Sequence, residues 1–171
     1  HVNDDLDEIT ELMTKYNLDG KFIIGFIGSL TVYQNIEHIL KCIKLMDDDN
    51  VMFIIIGDGP HKSSIVDYVK SNGLSDKVLC LGKLSYDEAI NYYNVFDVCV
   101  YPRKKCELYE LKSSYKVIEA MSHGKPVIVT NLKAMSEIII DNENGLLCNP
   151  DDINDLLENQ YYDDVTVYNH W

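Results

Sequence analysis

The chain has 171 residues, of which 46% are hydrophobic and 25% charged, proportions that predict one globular domain and exclude a disordered or fibrous protein. Its 28 acidic residues outnumber 15 basic ones, and the net charge of -13 disfavours nucleic acid and anionic membrane surfaces as partners. No apolar run reaches the roughly 18 residues of a membrane span, and the five cysteines form no Cys-x-x-Cys pair, so we expect a cytoplasmic domain with reduced thiols and no structural metal.

Residues 1–20 predict a linker and one short helix ahead of the main domain. The chain begins at His1 rather than at a methionine, and we expect a piece of a longer protein. Apolar residues then recur at helical spacing at Leu6, Ile9, Leu12 and Met13. The pattern stops near Asn17 and Gly20, where we expect the helix to end.

From residue 21 onward, short apolar runs alternate with longer stretches of helical period. The runs predict six strands at 22–27, 51–56, 78–81, 98–101, 127–129 and 146–148. The stretches around them predict helices near 36–46, 61–71, 86–94, 114–123, 134–140 and 152–159. Because apolar strands separated by helices form parallel sheets covered on both faces, residues 21–160 predict an α/β fold with a doubly wound, six-stranded parallel sheet. Residues 161–171 have no clear period and are interpreted as a tail.

Some conspicuous residues are predicted to have structural roles. The aromatic residues predicted in the core are Tyr92, Tyr93 and Phe96. Gly57 and Gly59 are interpreted as turn formers only, and Gly124 is expected to follow a helix C-terminus. His123, directly before it, is expected to interact favourably with the dipole of that helix.

Ligands of such sheets bind beyond the carboxyl ends of the strands, where the strand order reverses. For a strand order of 3-2-1-4-5-6, that crevice lies between the loops at 28–35 and 102–113. The second loop contains Arg103, Lys104 and Lys105 and leads into a helix opened by Ser113 or Ser114. Because a helix N-terminus beside basic side chains attracts anions, we expect a phosphate group in this crevice.

Three other classes of α/β domain are disfavoured. The exit of the first strand, at 25–30, lacks the G-x-G-x-x-G spacing of a nicotinamide-binding turn. The turn at 57–60 lacks the lysine and hydroxyl of a phosphate-binding P-loop. A receiver-type signalling domain requires clustered aspartates at its strand ends, whereas these strands end at Gly28, Gly57, Gly82 and Pro102. A sugar nucleotide is the ligand class that remains.

Eight short motifs occur along the chain in a fixed order. They are GSL at 28–30, GDGP at 57–60, VLCLG at 78–82, YPR at 101–103, KVIEAM at 116–121, GKPV at 124–127, Glu137, and NGLL at 144–147. In this order, over residues 21–158, they resemble the C-terminal domain of glycosyltransferase family 4. The resemblance implies a Rossmann-like domain, one half of a GT-B enzyme, that binds a UDP- or GDP-sugar without a cofactor. It also implies a missing N-terminal acceptor domain, through which any peripheral membrane association would occur.

The same resemblance implies a set of donor-binding residues and leaves the catalytic residues unknown. The set comprises Gly28, Ser29, Gly82, Lys83, Arg103, Lys116, Glu119 and Glu137. Arg103 and Lys116 are implied to carry the diphosphate, and Gly82 and Lys83 to present backbone amides to the base. Glu137 either caps a helix or touches the sugar. A solvated position in the loop is the alternative for Arg103.

Glu119 corresponds to the last glutamate of the family's E-x(7)-E motif, which accepts hydrogen bonds from the ribose hydroxyls. The chemistry agrees, because a carboxylate offers two acceptor oxygens to vicinal hydroxyls. The alternative is a helix-surface ion pair between Glu119 and Lys116, three positions earlier.

The chain departs from the family pattern at three positions. Ser29 stands where the family has an arginine, and Asn35 where it has a lysine, so two diphosphate ligands are missing. Leu111 stands where the first glutamate of E-x(7)-E belongs. The first two departures remove diphosphate ligands, and the third removes an expected contact to the sugar.

The resemblance implies the donor domain of a retaining glycosyltransferase, which moves a hexose-type sugar from a nucleoside diphosphate to a glycan or lipid-linked acceptor in polysaccharide or cell-surface glycan synthesis. The isolated domain is expected to be inactive without the acceptor domain. Two alternatives remain: a binding-only module whose donor site has decayed, and a sugar-nucleotide epimerase of the same architecture.

Overall fold

A computed structural model describes residues 2–111 and 114–160. The strands are β1 (Phe22–Ile27), β2 (Val51–Ile56), β3 (Val78–Gly82), β4 (Val98–Tyr101), β5 (Val127–Thr130) and β6 (Leu146–Cys148). The helices are α1 (Val2–Lys15), α2 (Ile36–Met46), α3 (Lys62–Ser71), α4 (Tyr86–Asn91), α5 (Glu107–Glu110), α6 (Tyr115–Ser122), α7 (Lys133–Ser136) and α8 (Ile153–Gln160). Short 3₁₀ helices lie at Val32–Gln34 and Tyr92–Asn94.

The six strands form one sheet in the order β3-β2-β1-β4-β5-β6, and every neighbouring pair is parallel. This confirms the predicted doubly wound sheet and its strand order. The order reverses between β1 and β4, whose registers pair Ile24 with Val98 and Gly25 with Cys99. The carboxyl ends of these two strands therefore flank the predicted ligand crevice.

The core lies between the sheet and the helices on its two faces. β2 is buried along its whole length, and β1 is buried except at its ends, as expected for strands covered on both sides. Gly25 lets the ring of Phe96 lie directly on β1, because a Cβ at position 25 would sit 2.1 Å from that ring. Phe96 is 2% exposed and Tyr93 is fully buried, which confirms their prediction as core residues.

The ends of α4 and α6 follow recognisable capping chemistry. Ser85 and Glu88 form a capping box at the start of α4, in which each side chain accepts a hydrogen bond from the other's backbone N–H. After α6, Gly124 has a left-handed φ of 68°, and its N–H donates to the carbonyl of Met121 at 2.9 Å. Gly124 therefore stops α6 as the sequence predicts.

The predicted helix at 134–140 is too long, because α7 ends at Ser136. The side chain of Asn144 takes over backbone groups that a longer helix would use: it accepts from the N–H of Ile140 at 2.7 Å and donates to the carbonyl of Ile138 at 3.0 Å. Such local side-chain bonds compete with helix formation. The sequence pattern at 134–140 does not reveal this competition.

The loop predicted at 102–113 contains a short helix, α5, which periodicity did not predict. A carboxylate oxygen of Glu110 accepts from the N–H of Lys133 at 3.0 Å and thereby caps α7. The next helix begins at Tyr115 after Ser114, while Ser113 and the tail at 161–171 lie outside the described residues. Within residues 2–111 and 114–160, no helix is both long enough and apolar enough to span a bilayer.

Candidate functional site

A cavity of about 700 Å³ opens at the carboxyl edge of the sheet. Its floor is formed by the ends of β1 and β2 and the residues that follow them, at 27–29 and 56–59. One wall contains residues 83–86 and part of α4, and the other contains Lys116 and Glu119 of α6. The cavity therefore lies beside the switch point between β1 and β4, where ligands of this architecture bind.

The floor of the cavity is built from closely spaced backbone. The N–H of Gly28 donates to the carbonyl of Ile56 at 2.8 Å, and that of Leu30 donates to the carbonyl of Asp58 at 2.9 Å. A Cβ on Gly57 would sit 1.7 Å from the carbonyl oxygen of Gly28, so only glycine fits there. Gly57 and Gly59 both line the cavity, so their interpretation as turn formers only was incomplete.

Asp58 places a negative charge at the edge of this floor. Its carboxylate accepts from the N–H of Gly59 at 2.9 Å, and Lys62 lies 3.5 Å away. The backbone hydrogen bond and then the Lys62 charge lower the pKa of Asp58. Lys83 faces the same cavity and adds to this effect.

Glu119 is held in place by a buried phenol. The hydroxyl of Tyr93 donates to Oε2 of Glu119 at 3.1 Å. Burial raises the pKa of Tyr93 well above its usual value, so the phenol remains a proton donor. Tyr86, which is 67% exposed at the cavity mouth, also hydrogen-bonds to Glu119, and this bond raises the pKa of Tyr86. The carboxylate therefore lies between an inner phenol and an outer one.

Lys116 is a half-buried cation on the same wall of the cavity. Its side chain lies along Gly28, since a Cβ on that glycine would sit 3.3 Å from Cδ of Lys116. Burial is the main cause that lowers the pKa of Lys116, and the Arg103 guanidinium adds to it, whereas Glu119 opposes it. An anion placed in the cavity would offset the cost of burying this ammonium group.

Five of the eight predicted donor-binding residues line this one cavity: Gly28, Ser29, Lys83, Lys116 and Glu119. Arg103 is outside the lining and only 7% exposed, but it lies near enough to lower the pKa of Lys116. Gly82 is also outside the lining and has a left-handed φ of 74°; its carbonyl accepts from the N–H of Gly57 at 2.8 Å. Glu137 is exposed, follows α7 and is not part of the lining.

The departures from the family pattern have distinct structural settings. Ser29 is exposed and faces the cavity. Asn35 is 3% exposed, and its side chain donates to Asp151 at 3.3 Å, away from the cavity lining. Leu111 is 75% exposed. Position 35 thus has a structural role that a ligand-binding lysine would not fill.

Asp58, Tyr86 and Tyr93 also line the cavity, although none of them was predicted as a site residue from the sequence. A signal existed for Tyr86, because the capping box of Ser85 and Glu88 fixes Tyr86 as the first residue of α4, at the carboxyl edge of the sheet. No such signal marked Tyr93, since its place in the helical spacing of apolar residues indicated only that it is buried. No cluster of three or more His, Cys, Asp or Glu side chains suited to a metal ion occurs in residues 2–111 and 114–160.

The fold and the cavity define a doubly wound α/β domain with a cleft beside its switch point, and comparison with known families identifies it further. Residues 21–160 match the family described as glycosyl transferases group 1. Because the match covers most of the chain, the protein belongs to this family of glycosyltransferases.

The similar proteins are longer than this chain. An uncharacterized glycosyltransferase of Methanocaldococcus jannaschii is 33% identical over 84% of this chain and 38% of its own length. The O-antigen chain mannosyltransferase RfbU of Salmonella typhimurium is 27% identical over 74% of this chain and 34% of its own length. The chain therefore spans little more than a third of these relatives.

Solved structures share the fold. Anabaena HepE, crystallised with UDP-glucose, superposes with a TM-score of 0.81 over 95% of this chain and 44% of its own, at 19% sequence identity. At this identity the likeness establishes the architecture of one domain of a GT-B glycosyltransferase.

Proposed function

We propose that this chain is the donor-binding domain of a retaining glycosyltransferase and binds a nucleoside diphosphate sugar, with UDP or GDP as the nucleotide, in the cavity beside the switch point. One observation carries the proposal: Lys116 and Glu119, three positions apart on α6, face the same cavity. A cation and a carboxylate at this separation match a ligand that combines phosphates with vicinal hydroxyls. The UDP-glucose bound by the similarly folded HepE supports this choice of ligand.

In this proposal Glu119 binds the ribose. One of its oxygens accepts from Tyr93, and a carboxylate has further lone pairs available for the 2′ and 3′ hydroxyls. The hydrogen bond from the exposed Tyr86 would be exchanged for those from the ligand. Hydrogen bonds to a charged group contribute roughly 1.5–3 kcal/mol each, which is enough to select a ribonucleotide.

Lys116 binds the diphosphate, and the nearby Arg103 adds positive potential from outside the cavity lining. The first-turn N–H groups of α6 contribute a favourable dipole at the same end of the helix. Two basic side chains and a helix N-terminus thus replace the arginine and lysine that are absent at Ser29 and Asn35. Lys83, across the cavity, adds a third positive charge near the base or ribose.

The chemistry proposed for the complete enzyme is transfer with retention at the sugar's anomeric carbon. The bond from that carbon to the diphosphate oxygen breaks, and its electron pair stays on the leaving diphosphate. The acceptor oxygen forms the new glycosidic bond on the same face, and its proton passes to an oxygen of the leaving diphosphate. Lys116 and Arg103 stabilise the charge that develops on the leaving group.

The remaining parts of the proposal concern the complete protein. A hexose-type sugar is transferred to a glycan or lipid-linked acceptor in polysaccharide or cell-surface glycan synthesis, which the name of the Salmonella relative supports. The acceptor is held by a preceding domain in the cytoplasm, and any contact with a membrane surface occurs through that domain. The donor-binding domain by itself is therefore expected not to turn over, and no metal or organic cofactor is required.

One observation favours a binding-only module as the second candidate. Asn35 is committed to a hydrogen bond with Asp151, as it could be in a site that no longer supports transfer. A sugar-nucleotide epimerase is less well supported, because the described lining of the cavity contains two carboxylates and no histidine.

Calorimetric titration of the chain with UDP, GDP, ADP and their glucose or mannose conjugates tests the donor site. We expect UDP or GDP to bind in the micromolar to submillimolar range, with the matching sugar nucleotide at least as tight. A decayed site would bind none of them at millimolar concentration. Release of sugar by the isolated chain, above a no-protein control, would contradict the expected inactivity.

A further inference from the structure

We propose that Tyr93 is a positioning residue for the donor: its hydroxyl holds the Glu119 carboxylate in the orientation that accepts ribose hydroxyls. The inference rests on the proposed function, since it assigns Glu119 to the ribose. Tyr93 is fully buried in the 3₁₀ helix after α4 and donates to Glu119 Oε2 at 3.1 Å. It therefore reaches the cavity wall from the core side.

The ring of Tyr93 is fixed by aromatic contacts on two sides. His123 stacks on it with a centroid distance of 4.8 Å and an interplanar angle of 17°. Phe96 meets it edge-on at 6.0 Å and 85°. Offset-stacked and edge-to-face contacts are the favourable arrangements for such rings. Because these contacts pack the ring from two sides, its hydroxyl offers a defined point for the carboxylate.

Two of the groups that Tyr93 contacts belong to α6 and to the residue that directly follows it. Glu119 lies in α6 and His123 is the C-cap residue that follows it, four positions later, so their side chains lie on the same side of the helix. Tyr93 thus contacts α6 through its ring at His123 and through its hydroxyl at Glu119. This arrangement couples the position of α6 to the orientation of the carboxylate.

A ligand could displace one of the two phenols that hydrogen-bond to Glu119 but not the other. Tyr86 is 67% exposed at the mouth of the cavity, where incoming hydroxyls can displace it. Tyr93 has no exposed surface and cannot be displaced. Tyr93 therefore keeps its bond in the bound state, and it leaves the remaining acceptor positions of Glu119 for the ribose.

The test compares UDP with 2′,3′-dideoxyuridine diphosphate as ligands of the unaltered chain and of Tyr93→Phe. If Tyr93 acts through Glu119 on the ribose, Tyr93→Phe weakens UDP about tenfold, near the lower bound for losing a hydrogen bond to a charged group. The affinity for the dideoxy analogue, which lacks both ribose hydroxyls, changes less than about twofold. Tyr92→Phe is the matched control, because it removes a phenol hydroxyl from a buried residue of the same turn, and we expect it to alter neither affinity.

The outcomes separate this inference from the proposed function. If the unaltered chain binds both ligands equally well, or binds no UDP, the ribose role of Glu119 fails, and the inference fails with it. If the unaltered chain prefers UDP and Tyr93→Phe keeps that full preference, the inference is overturned while the proposed function stands. An equal loss for both ligands would indicate a merely structural role and would also overturn it.

A second variant covers the case in which Tyr93→Phe does not fold. His123→Ala removes the stacking partner of Tyr93 from an exposed position after α6, where little stability is at stake. We expect the affinity for UDP to fall about threefold and that for the dideoxy analogue to stay the same, because the Tyr93 hydroxyl is held less firmly but is still present. An unchanged preference for UDP in His123→Ala would overturn the inference in that case.

Discussion

The carbonyl oxygen of Gly28 occupies the space in which a Cβ on Gly57 would sit, only 1.7 Å away. This contact brings the loops after β1 and β2 together and makes the cavity floor a surface of backbone. Any side chain at position 57 must push the two loops apart.

We therefore predict that Gly57→Ala lowers the free energy of unfolding by about 2–4 kcal/mol, since it combines a steric clash with an unfavourable φ of 149°. Gly73→Ala is the matched control, because Gly73 has a φ of 67° but open space where its Cβ would be. We expect that variant to lose only about 1 kcal/mol. Urea unfolding measures both, and equal losses would contradict the importance of the Gly28 contact.

Glu119→Gln is predicted to weaken UDP binding by about 1–3 kcal/mol. The amide keeps the shape of the side chain but removes the charge that strengthens the hydrogen bonds from the ribose hydroxyls. The midpoint of thermal unfolding should hardly move. Glu143→Gln, an exposed glutamate beyond the cavity, is the control and should bind UDP as the unaltered chain does. Calorimetry in which both variants match the unaltered chain would refute the assignment of Glu119.

The parallel sheet could be predicted from sequence almost residue by residue, because buried strands such as β2 are marked by uninterrupted apolar runs. α5 and the early end of α7 could not be predicted in this way. They depend on side-chain bonds from Glu110 and Asn144 to backbone groups elsewhere in the chain, and such bonds leave no periodic signal.

For the candidate site, the sequence located the crevice and the two residues of α6 that face it, since strand order and motif order were both readable. The sequence did not reveal the residues that support Lys116 and Glu119 from the protein interior. Tyr93 has the same apolar spacing as any core residue, and only the three-dimensional packing brings its hydroxyl to Glu119. Arg103 was predicted to carry the diphosphate, with a solvated loop position as the alternative. Sequence spacing alone does not reveal that it is only 7% exposed and near enough to lower the pKa of Lys116.

Arg103→Ala is predicted to weaken UDP binding by about 1–2 kcal/mol and to change uridine binding little, because the charge of Arg103 acts on the diphosphate. The difference should shrink as salt rises from about 0.05 to 0.5 M, since ions screen the attraction. Arg103→Lys retains the charge and should recover part of the affinity, which separates charge from packing. Lys105→Ala, an exposed lysine of the same loop, is the control. Equal losses for UDP and uridine in Arg103→Ala would show a packing effect instead.

Lys116→Met should make the chain more stable and at the same time a poorer binder of UDP. Burial lowers the pKa of Lys116 below its ordinary value of 10.5, so the folded state bears the cost of a partly desolvated ammonium group at neutral pH. Methionine removes that cost while keeping most of the side-chain volume, and we expect a gain of up to about 1 kcal/mol in unfolding free energy at pH 7.

The advantage of Lys116→Met should then decline with pH. Between the lowered pKa of Lys116 and 10.5, the unfolded chain binds more protons than the folded one, so the unaltered chain gains stability relative to the variant as pH rises through this window. Urea midpoints of both proteins at pH 7 and pH 9.5 measure the change. Calorimetry at pH 7 should show UDP binding to the variant weakened by about 1–3 kcal/mol, because the diphosphate has lost its half-buried cation. A variant that is less stable than the unaltered chain at pH 7, or that binds UDP equally well, would show that Lys116 is held for packing rather than for a phosphate.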